Sequence, residues 1–268
     1  MDHHSPQKLI EEVHSASIKK AGLDVRSMLL KGWFSGALLA LSTMFAFRAF
    51  DGLSGGLANI VAGVTFPVGF AIIVLLGLEL VTGNFAVLTM GVLGKKTKMS
   101  ALLRNWCWVY VGNFLGSVFV GGLMAFALTK GFLHEPGPMG DRIVEVACAK
   151  TLSYQHDGAN GWMAALVKGV LCNWLVALGT ILGLVSSSTV GKVLAVWLPI
   201  ATFFALALEH SVVNMFVIPT GMFLGADISV EQWLLWNQLP VTLGNVIGGA
   251  VFTGALLHYS HKHHHPAC

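Results

Sequence analysis

Two short segments of this 268-residue chain place a carboxylate and an amide at the same spacing within apolar surroundings. Glu79 precedes Asn84 by five residues, and Glu209 precedes Asn214 by five residues. Carboxylates are rare inside membrane-spanning helices and usually mark a functional pathway there. We predict that both segments interrupt a helix, and that the carboxylates anchor the interruptions by accepting freed backbone N–H groups.

His210 follows one of these carboxylates and lies inside an apolar run, whereas the other ten of the 11 histidines lie near the termini or in polar segments. An imidazole titrates near physiological pH in water, so it can exchange a proton or donate a hydrogen bond to an anion. A structural histidine bonded to a backbone carbonyl is the alternative. Because His210 lies at a predicted interruption, pseudo-symmetric to Thr82, we interpret it as a pathway residue.

The composition indicates a membrane protein. Charged residues make up 11% of the chain, compared with about 25% in soluble domains, and the mean hydropathy is +0.72. The net charge of +3 is too weak a basic excess to indicate nucleic-acid binding. The four cysteines form no CxxC pair, and we expect no disulfide framework, metal site or cofactor.

Six apolar runs have room for membrane-spanning helices, at residues 32–47, 57–93, 106–128, 162–185, 193–225 and 239–258. The second and fifth runs are too long for one simple span, and they contain the two carboxylates. The side of the N-terminus collects 11 of the 16 Lys and Arg residues. Because cytoplasmic loops are enriched in basic residues, both termini are predicted to be cytoplasmic.

The sequence also contains an internal repeat. The Glu and Asn segments recur at an offset of 130 residues (79 to 209), and Gly112-Asn113 recurs as Gly244-Asn245 at an offset of 132. Two halves of three spans each must have opposite orientations, which is typical of transporters. The predicted organisation is a partly amphipathic helical segment at 1–31, a channel domain at 32–258 with repeats at about 32–130 and 162–258, and a tail at 259–268 that is rich in histidine.

Ordered motifs between Arg26 and Tyr259 resemble the formate/nitrite transporter family. They are Arg104-Asn105-Trp106 with Val109-Tyr110-Val111-Gly112-Asn113, Gly169-Val170-Leu171-Cys172-Asn173-Trp174-Leu175-Val176, Glu209-His210-Ser211-Val212-Val213-Asn214-Met215 and Pro240-Val241-Thr242-Leu243-Gly244-Asn245. The resemblance implies an all-α integral membrane fold: an aquaporin-like protomer of six transmembrane helices in two inverted three-helix repeats, with broken second and fifth helices. It also implies a homopentamer with one anion pathway in each subunit.

The resemblance further implies that His210 faces Thr82 between two apolar constrictions. The pathway residues would be His210, Thr82, Asn214, Asn173, Asn245, Glu209 and Lys150, and the constriction residues would be Phe66, Phe70 and Val81 on one side with Val176 and Phe203 on the other. Lys150 corresponds best to a family lysine. However, residues 153–161 look like an insertion after it, and Lys168 is a competitor for the same role.

The implied function is passive or proton-linked transport of a small monovalent anion, formate first of all, across the prokaryotic cytoplasmic (inner) membrane. His210, aided by Thr82 and Asn214, would hydrogen-bond the anion and either donate a proton or let one accompany it. Nitrite, hydrosulfide or another small monocarboxylate stays open as the substrate. A water or polyol channel is disfavoured because the two Asn-Pro-Ala motifs are absent, and a membrane metalloenzyme because only one histidine lies in a span. We expect no enzymatic activity.

Overall fold

A computed structural model describes residues 3–261, and most of them are helical. The histidine-rich stretch of the predicted tail, at residues 262–268, lies outside the described residues. In chain order the helices are α1 (Pro6–Ala21), α2 (Val25–Ala49), α3 (Gly55–Thr65), α4 (Pro67–Leu75), α5 (Val81–Leu93), α6 (Met99–Leu128), α7 (Gly137–His156), α8 (Gly158–Leu182), α9 (Thr189–Ala205), α10 (Ser211–Phe223) and α11 (Val230–Ser260).

Several of these helices can span a membrane. In the described part of the chain, five helical stretches are long and apolar enough: α2, α3 with α4, α6, α8 and α11. The helices α5, α9 and α10 are shorter and also apolar. Large apolar side chains such as Phe45 and Phe119 are exposed on the outside of the protein, which suits a surface that faces lipid.

The second and fifth apolar runs each contain a non-helical interruption of five residues. Residues 76–80 separate α4 from α5, and residues 206–210 separate α9 from α10. Each interruption contains a residue in the left-handed region, Gly77 with φ +61° and Ala207 with φ +50°. Glycine adopts this conformation freely, whereas another L-residue such as alanine is strained by about 1–2 kcal/mol. The consequence is that the N-termini of α5 and α10 are buried.

Glycines allow close contacts between α2 and α6, and between α8 and α11. A Cβ atom at Gly36 would overlap the carbonyl oxygen of Asn113, and one at Gly244 would overlap that of Leu166. Small residues are favoured at such crossings because lipid provides no hydrophobic drive for helices to associate. The close approach brings Asn113 on α6 and Asn245 on α11 to the two interruptions.

Two amphipathic helices, α1 and α7, complete the fold. The Ser5 hydroxyl caps α1 by accepting from the backbone N–H of Lys8, and Val13 and Ser17 of α1 are buried. The sequence analysis predicted α1 but not α7, because α7 is too polar to stand out as an apolar run. Its buried residues, at 140, 143, 147, 151 and 154, nevertheless recur at helical spacing.

Residues 153–161, which looked like an insertion, form the last turn of α7 and the first turn of α8. A turn at Asp157 joins the two helices, and Gly158 has a positive φ of +57°. The short connection keeps α7 beside α8 and so orients the face of α7 that carries Lys150.

Candidate functional site

A buried ion pair lies at the first interruption. The Nζ of Lys20 on α1 is 2.9 Å from Oε1 of Glu79. The Nδ2 of Asn84 donates to Oε2 of Glu79 at 2.7 Å and to Oδ1 of Asn105 at 2.8 Å. Asn105 in turn donates to the backbone carbonyl of Lys20 at 3.1 Å. These contacts form a closed ring that ties α1, α5 and α6 to the interruption.

The second interruption carries the same arrangement. The Nζ of Lys150 on α7 is 2.9 Å from Oε2 of Glu209. Asn214 donates to Glu209 at 2.7 Å and to Asn237 at 2.9 Å, and Asn237 donates to the carbonyl of Lys150 at 2.8 Å. In addition, the Tyr154 hydroxyl donates to Oε1 of Glu209 at 2.9 Å. Both carboxylates are thus compensated by a lysine and amides within the protein interior.

Asparagines, and not the carboxylates as the sequence analysis expected, cap the freed backbone groups. The N–H of Val81 donates to Oδ1 of Asn113 at 3.0 Å, and the N–H of Ser211 donates to Oδ1 of Asn245 at 2.8 Å. A carboxylate only accepts hydrogen bonds, whereas an amide accepts and donates and can satisfy both kinds of freed backbone group. The amide nitrogens accordingly donate to backbone carbonyls, those of Gly32 and Glu79 for Asn113 and those of Gly169 and Glu209 for Asn245.

His210 is buried at the N-cap position of α10. Its Nδ1 accepts a hydrogen bond from the backbone N–H of Val213 at 3.2 Å. In the neutral ring the hydrogen must therefore be on Nε2, which lies 3.1 Å from Oγ1 of Thr82. The ring also stacks on Phe203, with 5.7 Å between ring centroids. The structure thus brings together the two residues that the sequence predicted to face each other.

The structure contains a cavity at each interruption. The Lys20 cavity, of about 270 Å³, is lined by Lys20 and by Leu80, the N-cap residue of α5. The Lys150 cavity, of about 150 Å³, is lined by Lys150 and by His210. Among residues 3–261, no residue lines both cavities. A packed layer therefore separates them.

The five predicted constriction residues belong to one buried apolar cluster. Phe70 lines the Lys20 cavity and Phe203 lines the Lys150 cavity. Phe66, Val81 and Val176 are completely buried and line neither of these two cavities. Phe66 packs edge-on against Phe203, with 5.5 Å between ring centroids. These side chains make the partition apolar and closed.

Three predicted pathway asparagines are placed in the scaffold. Asn173 donates to the backbone carbonyls of Thr82 at 3.1 Å and Asn245 at 2.6 Å. Asn214, expected to assist His210 at the anion, donates to Glu209 instead. Asn173, Asn214 and Asn245 line neither the Lys20 cavity nor the Lys150 cavity, so they position the two interruptions.

The structure also distinguishes between the two candidate lysines. Lys150 contacts Glu209, whereas the Nζ of Lys168 lies over the ring of Tyr154, 5.6 Å from its centroid. Sequence reasoning missed Lys20 as a counterpart of Lys150, although the offset of 130 residues (20 to 150) would have identified it. It also missed Leu80, which carries no chemical signal of its own.

Comparison with known proteins gives a consistent result. The sequence profile of the formate/nitrite transporter family matches residues 7–259. A probable formate transporter of Methanothermobacter thermautotrophicus is 36% identical over 246 residues, which cover 87% of this chain and 88% of that protein. The formate channel BtFdhC of Bacillus thuringiensis is 34% identical over 260 residues, which cover 95% of this chain and 94% of that protein.

Solved structures agree with the sequence comparison. An FNT family ion channel superimposes with a TM-score of 0.82 at 27% identity and covers 95% of this chain and 99% of its own. A pentameric formate channel with formate bound gives a TM-score of 0.71 at 26% identity and covers 87% of this chain and 95% of its own. These relatives are named as transporters and channels, and the profile spans both helix interruptions; this chain is therefore a member of the formate/nitrite transporter family.

Proposed function

We propose that the protein transports formate across a membrane, with His210 as the hydrogen-bond donor at the centre of the pathway. The observation that carries this proposal is the buried contact between His210 Nε2 and Thr82 Oγ1. It lies at the interruptions of both apolar runs, and each interruption has a cavity lined by a lysine. Relatives of the chain that are named as formate transporters and channels support formate as the anion.

The electrostatics of the interruptions favour an anion. The helices α5 and α10 begin within the protein, so the positive ends of their dipoles are buried near His210 and Thr82. Lys20 and Lys150 line the two cavities, and each is already paired with a carboxylate. An entering anion therefore meets positive potential without an unpaired buried cation, which would bind it too tightly for rapid passage.

The tautomer of His210 determines how a proton accompanies formate. Loss of the Nε2 proton from the neutral ring would leave an imidazolate, because Nδ1 accepts from the backbone N–H of Val213. His210 therefore donates a hydrogen bond, and the accompanying proton is taken from the solution on the entry side through water in the cavity, so one proton crosses with each formate. Formate then crosses the apolar partition as the neutral acid, which avoids most of the desolvation penalty of the ion.

The proposal includes the arrangement in the membrane. Residues 32–258 form an aquaporin-like channel domain of two inverted repeats, at about 32–130 and 162–258, and five copies assemble as a homopentamer. The segments 1–31 and 259–268 lie on the cytoplasmic side of the prokaryotic inner membrane. Support comes from the ion-pair networks repeated at offsets of 130 and 132 residues, the distribution of Lys and Arg, and the pentameric formate channel with a similar fold.

Flux measurements in proteoliposomes test this proposal. Formate, nitrite and hydrosulfide uptake would be compared with and without an imposed pH gradient. We expect formate uptake to exceed the other two and to follow an inward proton gradient. Faster nitrite or hydrosulfide flux would refute formate as the substrate, and the absence of any anion flux from a folded oligomer would refute transport.

A further inference from the structure

We propose an additional anion-binding site at the outer end of the Lys150 cavity, formed by the guanidinium of Arg142 and the side-chain amide of Asn59. Its ligand would be a small monocarboxylate, which this site would bind before the anion reaches Lys150. The inference rests on the proposed function, since it assigns a first docking position to the same transported anion.

The site lies where two cavities meet. Beyond the Lys150 cavity is a wider recess of about 820 Å³, here called the outer recess, which is lined by residues 50–55 and by the first turns of α7. Four residues line both spaces and form a neck between them: Phe47, Phe50, Asn59 and Arg142. Among residues 3–261, Arg142 is the one charged residue that lines both, so an anion entering through the neck must pass it.

The helix α7 aligns the neck with the next cation along the path. Arg142, Val146 and Lys150 are four residues apart and share one face of α7, and all three line the Lys150 cavity. Eight residues of α-helix span about 12 Å. The two cations are thus consecutive positions on one wall, with Val146 between them.

The chemistry of the neck suits a carboxylate. The Arg142 guanidinium carbon lies 5.6 Å from the ring centroid of Phe50, another residue of the neck, and the cation–π contact favours this position of the guanidinium. Its Nη1 contacts Oε2 of Glu145 at 2.6 Å, which leaves other N–H groups for a ligand. The exposed Asn59 side chain makes no hydrogen bond to another residue of the described range 3–261, so its amide is accessible to a ligand. A guanidinium fork and a free amide can bind a carboxylate together.

The charges around the neck favour monovalent anions. Asp51, Asp141 and Glu145 line the outer recess next to Arg142. Their combined field repels an anion, and the repulsion grows in proportion to the anion's charge. The one guanidinium can pair with one carboxylate, whereas the second carboxylate of a dicarboxylate would lie among these acids without a cation. The neck would therefore discriminate against polyanions before they reach the pathway.

The corresponding position on the other side is different. The offset that relates Lys150 to Lys20 relates Arg142 to Glu12 on α1. Glu12 forms an exposed pair with Lys8 at 3.2 Å and does not line the Lys20 cavity. Arg142 is therefore not required by the repeated architecture, and its effect should be confined to uptake from the outer side.

Oriented proteoliposomes provide the first test, with Arg142→Gln compared with Arg48→Gln. Arg48 belongs to α2, is paired with Asp51 at 3.0 Å and lines neither the Lys150 cavity nor the outer recess. For Arg142→Gln, the formate concentration that half-saturates uptake from the outer side should rise about fivefold, the effect of one unit charge at about 4 Å in water. Uptake from the inner side should stay unchanged in both variants, and Arg48→Gln, which only removes the partner of Asp51 beside the recess, should raise the outer value less than Arg142→Gln does. An unchanged outer value in folded Arg142→Gln protein would overturn the proposal.

A second measurement does not depend on transport. Phenylglyoxal modifies arginine side chains, and mass spectrometry reports the rate for each one. Formate should slow modification of Arg142 several-fold and leave Arg48 unaffected, and succinate at the same ionic strength should protect far less. Equal rates with and without formate would overturn the site. If formate protects Arg142 but the same protein shows no formate flux in proteoliposomes, the result would refute the proposed function and support the site.

Discussion

The pair between Lys150 and Glu209 should be coupled far more strongly than a pair on the protein surface. We would replace Glu209 by Gln, Lys150 by Met, and both together. Gln keeps an oxygen that can accept from Asn214, so the first change removes mainly the negative charge. Met keeps the length of the lysine stem and removes the ammonium.

The exposure of the two partners sets the expected magnitudes. Breaking a buried ion pair costs about 3–5 kcal/mol because one charge remains uncompensated. The Lys150 side chain is 18% exposed and can reach water in its cavity, whereas Glu209 is 3% exposed. Glu209→Gln should therefore destabilise the protein by about 3 kcal/mol and Lys150→Met by about 5 kcal/mol. The destabilisation of the double variant should be smaller than the sum of the two single destabilisations by about 2–3 kcal/mol.

The matched control is the pair of Lys8 and Glu12, whose nitrogen and oxygen are 3.2 Å apart on α1. Its side chains are 49% and 38% exposed, so solvent screens the charges. The same cycle of substitutions there should give a coupling energy below about 1 kcal/mol. The contrast between the two cycles isolates the contribution of burial.

The assay is reversible unfolding in mixed detergent micelles, with the free energy of unfolding measured for each variant. Effects of Glu209→Gln and Lys150→Met that add within about 0.5 kcal/mol would refute the reasoning, because additivity means that the two residues do not interact. Flux gives an independent readout. Glu209→Gln releases the ammonium of Lys150 into its cavity, so formate should half-saturate uptake at a lower concentration.

Three further predictions concern other parts of the molecule. His210→Gln keeps an N–H donor but cannot titrate, so formate flux should persist with the wild-type pH profile. His210→Phe removes the donor and should reduce flux about ten- to hundredfold, because a hydrogen bond to an anion contributes about 1.5–3 kcal/mol. A folded Gln variant without flux would contradict this role. Ala207→Gly should stabilise the protein by about 1 kcal/mol and Gly77→Ala should destabilise it by a similar amount, because both positions have positive φ. If the two substitutions change the free energy of unfolding in the same direction, the strain argument is wrong. Burial, and then the charges of His258 and Lys96, lower the pKa of His14, so the folded state favours the neutral ring. The stability that His14 contributes is therefore complete above about pH 6.5 and is lost as the pH falls below that value. Hydrogen-exchange protection of α1 should decrease over that range in the wild type but not in His14→Gln.

Much of the fold could be predicted from local sequence. Membrane-spanning helices can be predicted from the length and apolarity of a segment, because each spanning segment in lipid must form its own backbone hydrogen bonds. The two interruptions were signalled by a polar residue pair inside an apolar run, at Glu79 and Glu209. The helix α7 was not found, because its buried positions are separated by charged residues and its stability depends on packing against α8 and α10.

The site was predicted in its central residues but not in its contacts. His210 and Thr82 stood out because titratable or polar side chains are rare in apolar segments. Lys20 gave no such signal, since a lysine on an amphipathic helix has many ordinary explanations, and Asn113 was found in the Gly-Asn repeat without any indication of the group that it contacts. Their partners lie 59 residues away for Lys20 and Glu79, and 32 residues away for Asn113 and Val81.

The sequence by itself determined which residues could carry charge or hydrogen bonds through the membrane and roughly where the helices are interrupted. Only the tertiary structure decided which side chain satisfies which group: asparagines cap the backbone, lysines compensate the carboxylates, and His210 presents Nε2 to Thr82. The physical reason is that helix formation and membrane insertion depend on neighbouring residues. In contrast, a buried polar group must find a partner wherever the packing of distant helices places one.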